Sequence, residues 1–225
     1  MDPALEMELR YRAKAFLRQR SRALRNAIPR VAIAERSARI VAALEGLPLL
    51  REARAVALFY PIEGRNEVDL TALDPWLRAR GARVAYPTID PHEPREPADL
   101  REPAEPGEPE APPERPVMRF RFVDEIEAME ERGYGFREPD PSAPEATELD
   151  VIVVPALQID DRGHRLGYGA GYYDRTLPRY TPPAGRARSV GVAFSFQLIV
   201  EVPVTSGDVP VSLIVTDDRV LEPTS

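Results

Sequence analysis

The sequence predicts an α/β fold built on a parallel sheet, and three observations carry the prediction. A β-loop-α-β rhythm runs through residues 53–87. The all-apolar run Val151-Ile152-Val153-Val154-Pro155-Ala156-Leu157 has the composition of a strand buried on both faces, as parallel strands are. That run leads into a glycine loop between Asp160 and Asp174, at the carboxyl end of a strand, where open parallel sheets gather their ligands.

Taken in order, Asp2-Pro3 reads as an N-cap followed by proline at the first helical position. Leu5, Leu9, Ala13, Phe16, Leu17 and Leu24 then recur at helical spacing. Arg10, Lys14, Arg18 and Arg22 stand four apart on another face as one basic stripe. Such a stripe is ordinarily solvated, whereas laid over a phosphate loop it would be productive. Pro29 breaks the helix, and Ile33, Ile40, Val41 and Leu44 mark a second one ending near Gly46. Residues 53–60 read as a strand, 61–66 as a loop, and 68–80 as helical with a possible restart at Asp74-Pro75, stopped by Gly81. Residues 83–87 give the next strand.

Residues 91–117 hold a Pro/Glu-rich stretch poor in apolar residues. Such a segment buries too little to offset its ordering entropy, so an extended or disordered insertion with no catalytic role is expected. Residues 118–123 alternate as an edge strand, 126–132 read as a short helical piece, and 134–139 as a turn carrying Tyr134 and Phe136. Beyond the glycine loop, 189–194 and 211–216 read as strands, with Gln197 and a loop over 203–208 between them.

Composition removes several function classes. Cysteine is absent, which excludes thiol catalysis, disulfides and zinc-thiolate sites. No run of about 18 apolar residues occurs, and the N-terminus is charged from its second residue, so neither a membrane span nor a signal peptide is expected, and a cytoplasmic location follows. Of the net charge of -7, five negative charges belong to the stretch 91–118, with eight carboxylates against three arginines. The remainder is nearly neutral, which argues against a nucleic-acid binder. Lys14 is the sole lysine in an arginine-rich chain, and an ammonium kept against that bias is a candidate for meeting a phosphate as a compact charge; chance survival is the competing reading.

The chemistry concentrates in the glycine loop. Gly167, Gly169 and Gly171 alternate within five positions, so backbone N–H groups can approach a bulky anion without Cβ collisions. A helix opening near Asp174 would add its N-terminal dipole. An aspartate among phosphate-binding amides suggests Mg²⁺ between them, although glycines so spaced are more often only a tight turn. Glu67, after the first strand, suits a ligand amide or amine, or is simply an acidic residue opening a helix.

In the segment DVIVVPALQIDDRGHRLGYGAGYYDR the chain resembles the 5-formyltetrahydrofolate cyclo-ligases, in which a hydrophobic strand, a proline and an aspartate before a glycine lead to RLGxGxGYYD. Lys14 to Arg18, Glu67-Val68-Asp69, Gly135 to Pro139, and Gln197, Pro203 and Asp208 add to the likeness. The resemblance implies a three-layer α/β/α sandwich with a mostly parallel central sheet. It implies an enzyme, acting as a monomer, that uses ATP and Mg²⁺ to convert 5-formyltetrahydrofolate to 5,10-methenyltetrahydrofolate. By position it assigns Lys14, Arg18 and the loop Arg165, Leu166, Gly167, Tyr168, Gly169, Ala170, Gly171, Tyr172 and Tyr173 to ATP. It places Asp174 and Asp208 on Mg²⁺, and Glu67, Tyr134, Gly169, Gly171 and Tyr172 on the folate. Lys14, Arg165 and Tyr172 then form the catalytic group. Leu70 and Phe136 depart from the family pattern on the folate side. A relative binding nucleotide but acting on another substrate, and a non-catalytic binding module, are the alternative readings.

Overall fold

A computed structural model of the chain describes residues 2–90, 117–132 and 135–224. The Pro/Glu-rich insertion and Tyr134 lie outside the described residues. In chain order the elements are α1 (Pro3–Ala27), α2 (Arg30–Gly46), α3 (Pro48–Glu52), β1 (Ala55–Ala57), α4 (Leu73–Arg78), β2 (Arg83–Asp90), β3 (Val117–Phe122), β4 (Glu130–Glu131), β5 (Arg137–Glu138), β6 (Val151–Pro155), β7 (Gln158–Ile159), β8 (Arg165–Leu166), α5 (Tyr172–Tyr180), β9 (Arg188–Val192), β10 (Leu213–Val215) and β11 (Val220–Leu221).

The central sheet has the order β11-β10-β9-β6-β1-β2-β3. Its five inner strands run parallel, and β3 and β11 close the two edges antiparallel. Strand alternation divides the core in two. Val56, Val84, Val151, Val153, Val190 and Val215 face α2, α3 and α4, while Ala57, Ala85, Ile152, Val154 and Ile214 face the side covered by α5. This is the expected three-layer arrangement. No helix among the described residues is long and apolar enough to cross a membrane.

Several boundaries differ from the sequence reading. β1 is only three residues long, because Phe59 and Tyr60 leave the sheet to line the cavity described below. The helix expected over 68–80 starts at Leu73, since the Asp69 carboxylate accepts hydrogen bonds from Thr71 N and Oγ1 and holds a turn there. In place of a helical piece over 126–132, a 3₁₀ turn at Ile126–Ala128 precedes β4, which pairs with β5. Helix α3, strand β11 and the two-residue pairs β4-β5 and β7-β8 carry too few residues to leave a periodic signal.

Helix α1 reverses the usual amphipathic arrangement. Leu5, Leu9, Phe16 and Leu24 are exposed, whereas Lys14, Ser21 and Arg25 are buried. Its N-terminus follows the sequence closely: Asp2 Oδ1 accepts from Ala4 N at 3.0 Å, with Pro3 in the first turn.

Candidate functional site

A cavity of about 530 Å³ opens at the carboxyl ends of the parallel strands, within the usual size range of small-molecule sites. Phe59 and Tyr60 after β1, Pro87 and Ile89 of β2, Pro155 and Ala156 at the end of β6, and Val192 of β9 form its floor. One wall is the inward face of α1 with Lys14, Arg18 and Arg25. The glycine loop and the 205–208 loop form the opposite rim, and Glu67, Met118 and Phe136 close the far side.

The described residues assigned from the sequence line this one cavity: Lys14, Arg18, Glu67, every residue from Arg165 to Tyr173, Asp174 and Asp208. Tyr134, expected on the folate side, lies outside the described residues. Gly169 and Gly171 adopt φ of +111° and +69°, a region where L side chains are strained. Gly171 is also the N-cap of α5, so the loop ends at a helix N-terminus as expected.

Lys14 is the polar anchor of α1. Its ammonium donates to Thr205 Oγ1 at 2.7 Å and to Asp208 Oδ2, with only 4% of the residue exposed. Asp208 Oδ2 also accepts from Thr205 N at 2.7 Å. Burial works to raise the pKa of Asp208, but the bonds from Lys14 and Thr205 outweigh it and hold the carboxyl below its ordinary range. Arg18 Nε donates to the carbonyl of Gly167 at 2.9 Å, fastening helix to loop.

Arg165 is buried and spans the rim. Nη2 donates to Asp174 Oδ1 at 2.9 Å, and Nη1 donates to the carbonyl of Val209. Val209 N donates to the same Asp174 oxygen at 3.1 Å. Asp174 therefore joins the glycine loop to the 205–209 segment, and among the described residues its hydrogen bonds come from Arg165 and Val209 rather than from the backbone of its own helix. The second oxygen of Asp174 and Asp208 Oδ1 have no hydrogen-bond partner among the described residues. Two carboxylates, each with an oxygen to spare, suit Mg²⁺, which takes one or two carboxylates and completes its shell with phosphate oxygens and water. No cluster of three or more His, Cys, Asp or Glu side chains fit for a metal occurs among the described residues.

On the far wall, Glu67 Oε2 accepts from Ile62 N at 2.7 Å and Oε1 accepts from the hydroxyl of Tyr168. Asn66, at φ +48°, donates to the carbonyls of Arg25 and Ile28 at 3.2 and 3.1 Å; this ties the 61–67 loop to the end of α1 and aims Glu67. Burial first, then the neighbouring Glu67 carboxylate, push the Tyr168 hydroxyl up to about 12 against the opposing influence of Arg25. Tyr60, Ile62, Ile89, Met118 and Phe136 supply apolar surface on this side, suited to a flat ligand.

Sequence reasoning missed Arg25 and Thr205. Arg25 was legible in principle: at about 100° per residue, it returns to within about 20° of Lys14 after three turns, whereas Arg22 has drifted by about 80°. A strict spacing of four follows the wrong face, and Arg22 is exposed accordingly. Thr205 leaves no such trace, since its contact with Lys14 spans 191 positions.

A sequence profile described as the 5-formyltetrahydrofolate cyclo-ligase family matches residues 10–217. Among curated proteins, the chain is 42% identical over 89 residues to the 5-formyltetrahydrofolate cyclo-ligase of Mycolicibacterium smegmatis, covering 38% of this chain and 44% of that protein. It is 38% identical over 76 residues to the Escherichia coli K12 protein of the same name, covering 34% and 41%. The alignments thus span less than half the length of these relatives. A longer match, 25% identical over 163 residues, covers 71% of this chain and 74% of the Haemophilus influenzae cyclo-ligase. The NMR structure of Aquifex aeolicus 5,10-methenyltetrahydrofolate synthetase superposes with a TM-score of 0.72 at 26% identity, over 94% of this chain and 93% of that one. A synthetase from Mycoplasma pneumoniae shares the fold, with a TM-score of 0.61 at 22% identity over 91% and 98%.

Proposed function

The chain belongs to the 5-formyltetrahydrofolate cyclo-ligase family, and from that premise we propose that it closes 5-formyltetrahydrofolate to 5,10-methenyltetrahydrofolate at the expense of ATP with Mg²⁺. The observation that carries this reading is a single cavity joining two kinds of wall. A cationic helix face, a glycine loop and two carboxylates meet a separate apolar side bearing one buried carboxylate.

Bound ATP and Mg²⁺ would supply the phosphoryl group that turns the formyl oxygen into a leaving group, so that N10 closes the ring and phosphate departs. The chain's own task is alignment and charge neutralisation, the main contributions in phosphoryl transfer. Lys14 and Arg18 bring cations from α1 to the mouth of the glycine loop, and the loop amides with the N-terminus of α5 favour the polyphosphate. Asp174 and Asp208 would hold Mg²⁺, and Arg165 braces Asp174 and balances its charge. Glu67 takes N–H donors of the pterin, and Tyr172 lines the boundary between the two halves. No protein nucleophile is needed.

Action as a monomer remains part of this reading, and the near-neutral charge of the sequence outside the insertion supports a small-molecule partner. Purified protein mixed with 5-formyltetrahydrofolate is expected to develop methenyl absorbance only with ATP and Mg²⁺ together. Folded protein that binds nucleotide yet leaves this substrate unchanged would identify a divergent member acting on another compound.

A further inference from the structure

The hydroxyl of Tyr168 stands between two buried groups of opposite charge. It accepts a hydrogen bond from Arg25 Nη2 and donates one to Glu67 Oε1, whereas Arg25 and Glu67 approach each other only to 3.8 Å. Arg25 and Glu67 are 3% and 8% exposed, and charges so far from water require close compensation. The Nε of Arg25 has no hydrogen-bond partner among the described residues, so the bond to Tyr168 is a principal outlet for its charge. The ring of Tyr168 is also held, with Arg25 Cζ 5.6 Å and Arg65 Cζ 5.2 Å from its centroid, within cation–π range. Position in the glycine loop suggests a nucleotide contact for Tyr168, yet its polar atom serves the opposite wall.

We propose that Tyr168 is a positioning residue for the substrate-side carboxylate: with Arg25 it fixes the orientation of Glu67, so that the lone pairs left over face the cavity and accept adjacent N–H donors of the pterin. The proposal rests on the folate reading above and adds a residue to the specificity side of the site. A carboxylate has about four lone-pair directions; Ile62 N and the Tyr168 hydroxyl take two of them, which leaves room for a paired donor edge. Without the hydroxyl, Glu67 can swing toward Arg25 and close the 3.8 Å gap, turning those lone pairs away from the ligand.

Calorimetric binding of 5-formyltetrahydrofolate and of a non-hydrolysable ATP analogue, measured separately, tests this on full-length wild type, Tyr168→Phe, Glu67→Gln and the double variant. Phenylalanine keeps a ring within reach of both guanidinium groups and removes only the hydroxyl. The folate Kd of Tyr168→Phe is expected to rise about tenfold, about 1.4 kcal/mol, while the analogue Kd stays within about twofold of wild type, the limit of coupling this role allows. In the double variant, Glu67→Gln should cost clearly less than it does alone, because residues acting as a unit are not additive. An unchanged folate Kd in Tyr168→Phe, or an equal loss for the nucleotide analogue, overturns the positioning role while the folate reading stands. Wild type that binds the analogue but no reduced folate overturns both.

Discussion

At the scale of single residues, Lys14 is a cation that links α1 to the rim of the cavity. Its slot is small: the ammonium meets Thr205 Oγ1 and Asp208 Oδ2 at the end of a buried stem. A guanidinium is wider, planar and more delocalised, so Lys14→Arg should lower turnover about tenfold or more, about 1.4 kcal/mol of transition-state stabilisation. Turnover equal to wild type would mark the lysine as an accident of composition. Asp174→Asn separates charge from shape at the proposed metal site. The amide oxygen can still accept from Arg165 and Val209 N, so the fold should survive while the Mg²⁺ concentration for half-maximal activity rises severalfold. An unchanged Mg²⁺ requirement would remove Asp174 from the metal site. The two residues were legible for different reasons: Lys14 because it is unique in the chain, and Asp174 because a glycine loop precedes it. Arg165 was read as a contact for ATP, and the structure adds that it braces Asp174 against Val209.

At the scale of elements, α1 is the part whose logic is least like ordinary core packing. It is fastened by Arg10 to the carbonyl of Val204, by Lys14 to Thr205 and Asp208, by Arg18 to Gly167, and by Arg25 to Tyr168. Its larger apolar residues Leu5, Leu9, Phe16 and Leu24 face out. Substituting Phe16 and Leu24 by Gln should therefore shift the unfolding temperature by no more than a few degrees, as exposed positions do. Ser21 is 3% exposed and bonds to the carbonyl of Leu17, so Ser21→Leu should cost about 1–3 kcal/mol by overpacking. Thermal melts showing the reverse order would mean that the apolar stripe is covered in solution. The helix itself was legible from its cap and periodicity, but the sign of its amphipathicity was not. Hydrophobic spacing reports which residues share a face, whereas the burial of the opposite face depends on polar partners that arrive from 143 to 194 residues away.

At the scale of the whole molecule, the parallel sheet was legible because β6 is a continuous apolar run and the 53–87 rhythm repeats the β-loop-α-β unit, while the edge strand β11 and the short pairs were not. The ties between layers were equally silent in sequence. Asp217 accepts from Ser195 N at 2.6 Å and from Arg36 of α2, joining the helical layer to the ends of β9 and β10. Burial works to raise its pKa, but these bonds outweigh it and leave the carboxyl below its ordinary value. A carboxylate with a depressed folded pKa contributes stability that is present above its unfolded value, about 3.9, and lost as pH falls through the lower folded value. The melting temperature should thus decline as pH drops below about 4, and more shallowly in Asp217→Asn; parallel declines in the two proteins would assign the acid sensitivity to other groups. The molecule as a whole is read as a device that brings a cationic, phosphate-directed wall and a pterin-directed wall to one cavity, so the two chemistries must be coupled in each turnover. Simultaneous measurement of methenyl absorbance and released inorganic phosphate, with 5-formyltetrahydrofolate and Mg-ATP, is the direct test. One phosphate released per methenyl product, with neither formed when either substrate is omitted, is expected; phosphate release without methenyl product, or methenyl product without phosphate, would contradict it.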